Sequence, residues 1–175
     1  MQSSAFNLAT EMKLREVTYS LTQKLWIRHD LSDFDFSFTN WQSFKYLNDA
    51  GDALSNEVQS LPNNAGGLYM FHINCPVIPG MTSFPAYIGR AQLTEGQNLR
   101  KRCKEYFQKF ARSDERPKIT RMFEYWRNEL YLSFIVLDEN EKIIGFEKRL
   151  INALLLPFND EIPDIEIRQA VKAFN

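Results

Sequence analysis

The sequence predicts an α/β fold in which a small central sheet is flanked by helices. Segments 67–73, 86–90 and 130–137 are rich in aromatic and β-branched residues, which is typical of strands. Apolar residues recur at helical spacing over 98–110 and 140–156. Strands separated by helices of this length indicate an α/β domain.

The first 65 residues are predicted to form a mainly helical extension, and residues 66–175 the compact α/β domain. Residues 5–27 carry an apolar stripe at helical spacing. Residues 33–38 alternate with period two, which predicts a short half-buried strand. Residues 42–61 return to helical spacing and predict a second helix.

Turns and caps separate the elements of the second part. Three prolines and a glycine predict a loop over 74–85. Asn98 is a suitable N-cap for the helix that reaches Phe110. Further helices are predicted at 117–128 and 164–174.

Composition excludes several classes of protein. The chain is 44% hydrophobic and 14% aromatic, which indicates an ordered globular protein. It has no apolar run of about 20 residues and no secretory signal, so a membrane partner is not expected. Cys75 and Cys103 are too few for a disulfide framework or a zinc site. We therefore expect a cytoplasmic protein with reduced thiols.

Positive charge is concentrated in one segment, although the net charge is only −1. Residues 90–127 contain 11 Lys or Arg and 5 Asp or Glu, whereas acidic residues prevail on both sides. Such a segment is a candidate phosphate-binding face. An ordinary solvated helical surface is the alternative.

Glu147 is the most unusual residue of the pattern, because it falls in the middle of the apolar stripe of the helix over 140–156. A buried carboxylate needs a partner, which is a metal, an arginine or several hydrogen-bond donors. A purely structural ion pair is the alternative to a functional site.

Short motifs then occur in a fixed order along the chain. They are Gly67-Leu68-Tyr69, Tyr87-Ile88-Gly89, Asn98-Leu99-Arg100-Lys101-Arg102 followed by Tyr106-Phe107, Glu147 with Leu150-Ile151, and Pro157-Phe158-Asn159. This order resembles the GIY-YIG nuclease family, and the arginine helix is most similar to that of the excision-repair incision nucleases. The resemblance spans roughly residues 66–160.

The resemblance implies a three-stranded, mostly antiparallel sheet and cleavage of DNA that requires Mg²⁺ or Mn²⁺. The loop over 74–85 is longer than usual for the family, and Arg90 stands where many members have Lys. The catalytic residues that the resemblance implies are Tyr69, Tyr87, Arg90, Arg102, Tyr106, Glu147 and Asn159.

Each of these residues has a role in phosphodiester hydrolysis. Tyr69 is the first choice for the general base and Tyr87 its competitor, and Arg90 is expected to lower the pKa of the base. Glu147 is the expected metal ligand, since Mg²⁺ often takes one carboxylate plus waters and phosphate oxygens. Arg102 offers fixed donors to the phosphate.

Two further residues complete the expected site. Asn159 is expected to organise it by hydrogen bonding, and Tyr106 to contact a phosphate or its water. The candidates for binding the nucleic-acid backbone are Arg100, Lys101, Lys104, Lys118 and Arg121.

Three alternatives stay open at this point. The chain can be a sequence-specific restriction-type GIY-YIG enzyme, a non-catalytic nucleic-acid-binding module that keeps the fold, or a nuclease directed at RNA. The sequence distinguishes neither DNA from RNA nor one oligomeric state from another.

Overall fold

A four-stranded antiparallel sheet with helices on both faces forms the centre of the computed structural model, which describes residues 4–174. The strands are β1 (Gln42–Lys45), β2 (Gly66–Asn74), β3 (Ser83–Ala91) and β4 (Leu130–Leu137). The helices are α1 (Ala5–Arg15), α2 (Gln23–Arg28), α3 (Leu99–Ala111), α4 (Pro117–Trp126), α5 (Asn140–Leu154) and α6 (Ile165–Phe174). The predicted α/β class is confirmed. No helix among the described residues is long and apolar enough to cross a membrane.

The sheet has one strand more than expected. Its order is β1-β4-β2-β3, and the additional strand β1 lies in the segment 42–61 that was predicted to be helical. That prediction is wrong, because β1 pairs with β4 and the chain then enters the core at Tyr46 and Leu47. Only a short 3₁₀ turn, Asn56–Ser60, follows in this segment. Partners far away in sequence override local helical spacing.

Two other predictions for the first 65 residues are wrong. The helix expected over 5–27 is interrupted, since α1 ends at Arg15 and α2 begins at Gln23. Residues 33–38 form no strand; Phe34 and Phe36 are partly buried, whereas Phe38 is exposed. Phe34 and Phe36 pack against Phe146 of α5, with ring centroids 5.3 and 5.1 Å away.

The elements from residue 66 onward agree with the sequence analysis to within a few residues. β2 and β3 form a hairpin around the proline-rich loop, and β4 has the predicted bounds. The Asn98 side chain caps α3 by accepting a 2.9 Å hydrogen bond from the backbone N–H of Lys101.

The sheet separates two apolar cores. Side chains alternate along a strand, so Tyr69 and Tyr87 face α3 and α4. Leu68 and Ile88 face α5 instead. β3 is an edge strand, so within the described residues one of its sides has no neighbouring strand. Side chains of both cores lie beside this open edge.

Gly89 permits the tightest cross-strand contact of this arrangement. It pairs with Tyr69 across the β2–β3 ladder, and the Tyr69 ring lies over its backbone. A Cβ atom at position 89 would lie 2.5 Å from the Tyr69 hydroxyl oxygen and 2.7 Å from Cζ. Any side chain here displaces the Tyr69 ring from its place in the core.

We predict that Gly89→Ala destabilises the fold by about 1–3 kcal/mol, because the buried Tyr69 ring has no free space into which to move. Gly145→Ala is the matched control. Gly145 lies inside α5, and no neighbouring side chain is within 4 Å of the place that a Cβ atom would take, so alanine should stabilise by about 0.5–1 kcal/mol. Urea denaturation measures both, and equal effects would contradict the predicted clash.

Candidate active site

Three tyrosine hydroxyls form a buried hydrogen-bonded cluster between the sheet and α3. The Tyr106 hydroxyl lies 2.7 Å from that of Tyr69 and 2.9 Å from that of Tyr87. The three residues come from β2, β3 and α3, so the cluster ties the hairpin to the helix. Arg102 bonds to the hydroxyls of Tyr69 and Tyr106, so four residues that the motifs predict to act together form one connected cluster.

Arg102 closes one side of the tyrosine cluster. It lies one turn before Tyr106 on α3, and its guanidinium lies 5.0 Å from the centre of the Tyr106 ring. Its Nε and Nη2 atoms donate to the Tyr69 and Tyr106 hydroxyls, each at 3.3 Å. Its Nη1 donates to Glu105 at 2.9 Å. All three nitrogens therefore hold the guanidinium in one orientation.

Burial determines the protonation state of two cluster tyrosines. Tyr69 is 0% exposed, and this burial raises its pKa well above the ordinary value, to which Tyr106 and Tyr87 add. Burial likewise raises the pKa of Tyr106. The nearby cation that opposes these shifts is Arg102. The expectation that Arg90 lowers the pKa of Tyr69 is not met, since Arg90 faces the other core.

Glu147 is buried on α5, as its place in the apolar stripe predicts, and its partner is an arginine. Its residue exposure is 9%, and one carboxylate oxygen accepts a hydrogen bond from Nη1 of Arg90. Arg90 pairs with Leu68 in the ladder, so its side chain leaves β3 toward α5. No hydrogen bond joins this ion pair to the tyrosine cluster within residues 4–174.

The ion pair leaves a limited donor set for a metal. Among the described residues there is no group of three or more His, Cys, Asp or Glu side chains able to hold a metal ion. Glu147 is a single hard oxygen donor, which is compatible with Mg²⁺ when waters and phosphate oxygens supply the other ligands. Glu147 could therefore supply one ligand to a magnesium ion, with water and phosphate oxygens as the others.

Asn159 organises the site through the backbone of β3. Its side-chain oxygen accepts a 3.0 Å hydrogen bond from the Ile88 N–H, and its amide donates to the Ile88 carbonyl at 2.9 Å. The Phe158 N–H donates to the Ala86 carbonyl at 3.1 Å. Residues 158–159 thus cover the free edge of β3 beside Tyr87.

Most of the basic residues expected to bind nucleic acid contact the protein itself. Arg100 donates to the Leu61 carbonyl, and Lys104 donates to Gln59. Lys101 is exposed and has no side-chain hydrogen bond within the described part of the chain.

The other two basic candidates lie on α4 and are exposed. Lys118 donates to the Asn159 carbonyl at 2.7 Å. Arg121 donates to the carbonyls of Leu14 and Glu16. These contacts use part of each side chain's donor capacity for structure.

Arg116 is a site residue that sequence reasoning missed. Its guanidinium lies 5.7 Å from the centre of the Tyr87 ring, on the border of the cluster. The only sequence signal was its membership in the basic segment, which contains ten other Lys or Arg residues. No periodicity distinguishes it from them.

Comparison of the chain with protein-family models, with curated proteins and with solved structures finds no match. The geometry of the described residues therefore carries the functional proposal.

We predict that stability falls steeply above about pH 10. Burial raises the folded-state pKa of Tyr46, Tyr69 and Tyr106, so below the unfolded value both states are protonated and this stability is fully present. At higher pH only the unfolded chain loses these protons. Each tyrosine then removes up to about 1.4 kcal/mol per pH unit.

Urea denaturation at a series of alkaline pH values measures this loss. The slope should decrease in Tyr69→Phe, because one ionisable hydroxyl is gone from both states. A stability that stays constant through this range would contradict the burial of the hydroxyls.

Proposed function

We propose that this chain is a metal-dependent endonuclease of the GIY-YIG type that hydrolyses phosphodiester bonds in DNA. The observation that carries the proposal is the contact of Tyr69, Tyr87, Arg102 and Tyr106 in one hydrogen-bonded cluster. A buried cluster of hydroxyls and a guanidinium is more than the sheet needs for packing. The same residues carry the resemblance in the sequence.

The open edge of β3 supports a single substrate site between the tyrosine cluster and the Arg90–Glu147 ion pair. Asn159 covers the edge at Ile88, and the Gln97 side chain accepts from the Gln92 N–H at 3.2 Å. Arg90 lies between these covered positions, paired with Glu147. A phosphate at this edge would be within reach of side chains that leave β3 on both faces.

Tyr87 is the better candidate for the general base than Tyr69. Tyr87 is 6% exposed and borders the free edge, whereas Tyr69 is wholly enclosed. A base must contact the attacking water, which an enclosed hydroxyl cannot do. We therefore propose Tyr87 as the general base, in place of Tyr69, which the sequence analysis favoured. Tyr106 then orients the hydroxyl of Tyr87 through its hydrogen bond, and Tyr69 holds the hydroxyl of Tyr106 in turn.

The remaining side chains have distinct roles in this reaction. Arg102 would donate to a phosphate oxygen on which negative charge develops, and its fixed orientation keeps the cost of reorganisation low. Glu147 would hold Mg²⁺ or Mn²⁺, which supplies Lewis acidity and charge neutralisation at the phosphate. Arg90 shares that carboxylate and limits how the bound ion can be placed.

Positive charge outside the site supports nucleic acid as the substrate. The segment 90–127 contributes α3, α4 and both arginines that border the tyrosine cluster. Such a surface attracts the phosphate backbone without reading base sequence. We propose DNA as the substrate, and cleavage of RNA strands of the same sequence is compared with it in the same assay.

We predict that Glu147→Gln abolishes cleavage of plasmid DNA while the protein stays folded. The amide keeps the size of the side chain but is a weaker metal ligand, and it can still accept from Arg90. Glu141→Gln, an exposed change on the same helix, is the matched control and should cut normally. Far-UV circular dichroism checks the fold of both variants.

Two outcomes would count against this role of Glu147. Cleavage by Glu147→Gln at the wild-type rate would remove it as the metal ligand, and so would cleavage that survives EDTA. A wild-type protein that binds DNA but cuts neither DNA nor RNA with Mg²⁺ or Mn²⁺ would indicate the non-catalytic module instead.

We further predict that Tyr87→Phe lowers the single-turnover rate by about 10²–10⁴-fold, the usual contribution of a general base. Tyr69→Phe should lower it less, because it removes only the hydrogen bonds that Tyr69 makes with Tyr106 and Arg102. Tyr131→Phe, which changes a half-buried tyrosine on β4 outside the cluster, is the control. A larger loss for Tyr69→Phe would restore that residue as the base.

A further inference from the structure

Arg116 is a second arginine that borders the tyrosine cluster, in addition to Arg102. One guanidinium is stacked near the Tyr106 ring at 5.0 Å and the other near the Tyr87 ring at 5.7 Å. Both distances are within the range in which a cation is attracted to an aromatic face. The cluster of hydroxyls is therefore bordered by two cations, of which the motifs predict only Arg102.

Arg116 is held by two carboxylates, although its side chain is 43% exposed. It is the N-cap residue of α4, and Pro117 at the first helical position restricts the backbone there. Nη1 forms a 2.9 Å ion pair with Asp160, and Nε lies 3.3 Å from the carboxylate of Glu115. An arginine that served only as surface charge would not need two carboxylates and a restricted backbone.

The carboxylate that holds Arg116 belongs to the same structural unit as Tyr87. Asp160 follows Asn159, whose side chain is bonded to both backbone groups of Ile88. Ile88 is the neighbour of Tyr87 on β3. Arg116 is thus connected through Asp160 and Asn159 to Ile88, the residue that follows Tyr87 in β3.

We propose that Arg116 is a positioning residue that holds the Tyr87 ring in its reactive orientation and places a second cation beside the hydroxyl. This inference rests on the proposed nuclease function. In the proposed reaction the Tyr87 phenolate, whose own proton has passed to solvent, takes a proton from the attacking water. The resulting hydroxide forms a bond to phosphorus as the scissile P–O bond breaks, and the leaving oxygen keeps the electron pair and takes a proton from solvent. Two cations lie against the rings of Tyr87 and its hydroxyl partner Tyr106, namely Arg116 and Arg102. Arg116 is paired with Glu115 and Asp160, and Arg102 with Glu105.

Arg116→Met tests the role against Arg112→Met as the matched control. Both changes remove one positive charge from the basic segment. Arg112 is an exposed residue at the end of α3, and within residues 4–174 its side chain bonds to the Gln108 carbonyl alone. We expect the single-turnover rate of Arg116→Met on DNA to fall by about 10²-fold, as for a displaced reactive group. The control should cut at the wild-type rate, while both lose the same small factor in DNA affinity.

Combination with Tyr87→Phe distinguishes positioning from a separate effect. If Arg116 acts through the Tyr87 hydroxyl, Arg116→Met causes no further loss in Tyr87→Phe, so the two effects are not additive. Additive effects would overturn the proposal, and so would equal rates for Arg116→Met and Arg112→Met. Those results would indicate that Arg116 contributes positive charge without positioning Tyr87.

Arg116→Met leaves Glu115 unpaired, and two milder variants keep the test decisive if the protein with this substitution does not fold. Arg116→Lys retains the charge but lacks the planar fork, so it should recover part of the rate. Asp160→Asn preserves the Glu115 contact and should lower the rate in the same direction as Arg116→Met. Wild-type rates in both variants would overturn the positioning role.

A readout that needs no cleavage separates this inference from the proposed function. In protein labelled with ring-¹³C tyrosine, Arg116→Lys and Asp160→Asn should shift the Tyr87 ring resonance and leave that of Tyr131 in place. Failure of the wild type to cut any nucleic acid would refute the nuclease. An unchanged Tyr87 resonance would refute the contact on which Arg116 depends.

Discussion

The close approach of Tyr69 to Gly89 is the constraint on which the candidate site depends. Because position 89 has no side chain, the Tyr69 ring can cross the neighbouring strand and bring its hydroxyl to Tyr106 and Arg102. Tyr106 in turn bonds to Tyr87, two residues before that glycine. The strand that supplies the space thus also supplies the third hydroxyl, so the hairpin and α3 are positioned by one set of contacts.

The sequence predicted secondary structure and burial correctly where the local pattern of residues agrees with the tertiary environment. β4 is a continuous apolar run that is buried along most of its length, and α5 buries one helical stripe, on which the sequence placed Glu147. It failed over 42–61, where apolar residues at helical spacing belong to a short strand, a turn and a 3₁₀ segment. β1 pairs with residues near position 131, and no local pattern encodes a partner at such a separation.

The same limit applies to the partners within the site. The motifs named both Arg90 and Glu147, yet they suggested that Arg90 acts on a tyrosine. Strand alternation sends Arg90 to the opposite face from Tyr87, and there it meets the carboxylate. Arg116 was invisible for a related reason, because its importance comes from Asp160 and Tyr87, which lie 44 and 29 positions away. Residue type and spacing alone do not report such contacts.

Burial divides the residues of the candidate site into two kinds. A wholly enclosed Tyr69 cannot touch a substrate, so its hydroxyl serves to hold Tyr106 and Arg102 in place. Tyr87 and Arg102 border solvent, and in the proposed nuclease they are the groups that a phosphate would reach, while Arg116 would hold Tyr87. Because the enclosed residues bond directly to the accessible ones, a change in the interior alters the geometry at the surface without altering any group that meets the substrate.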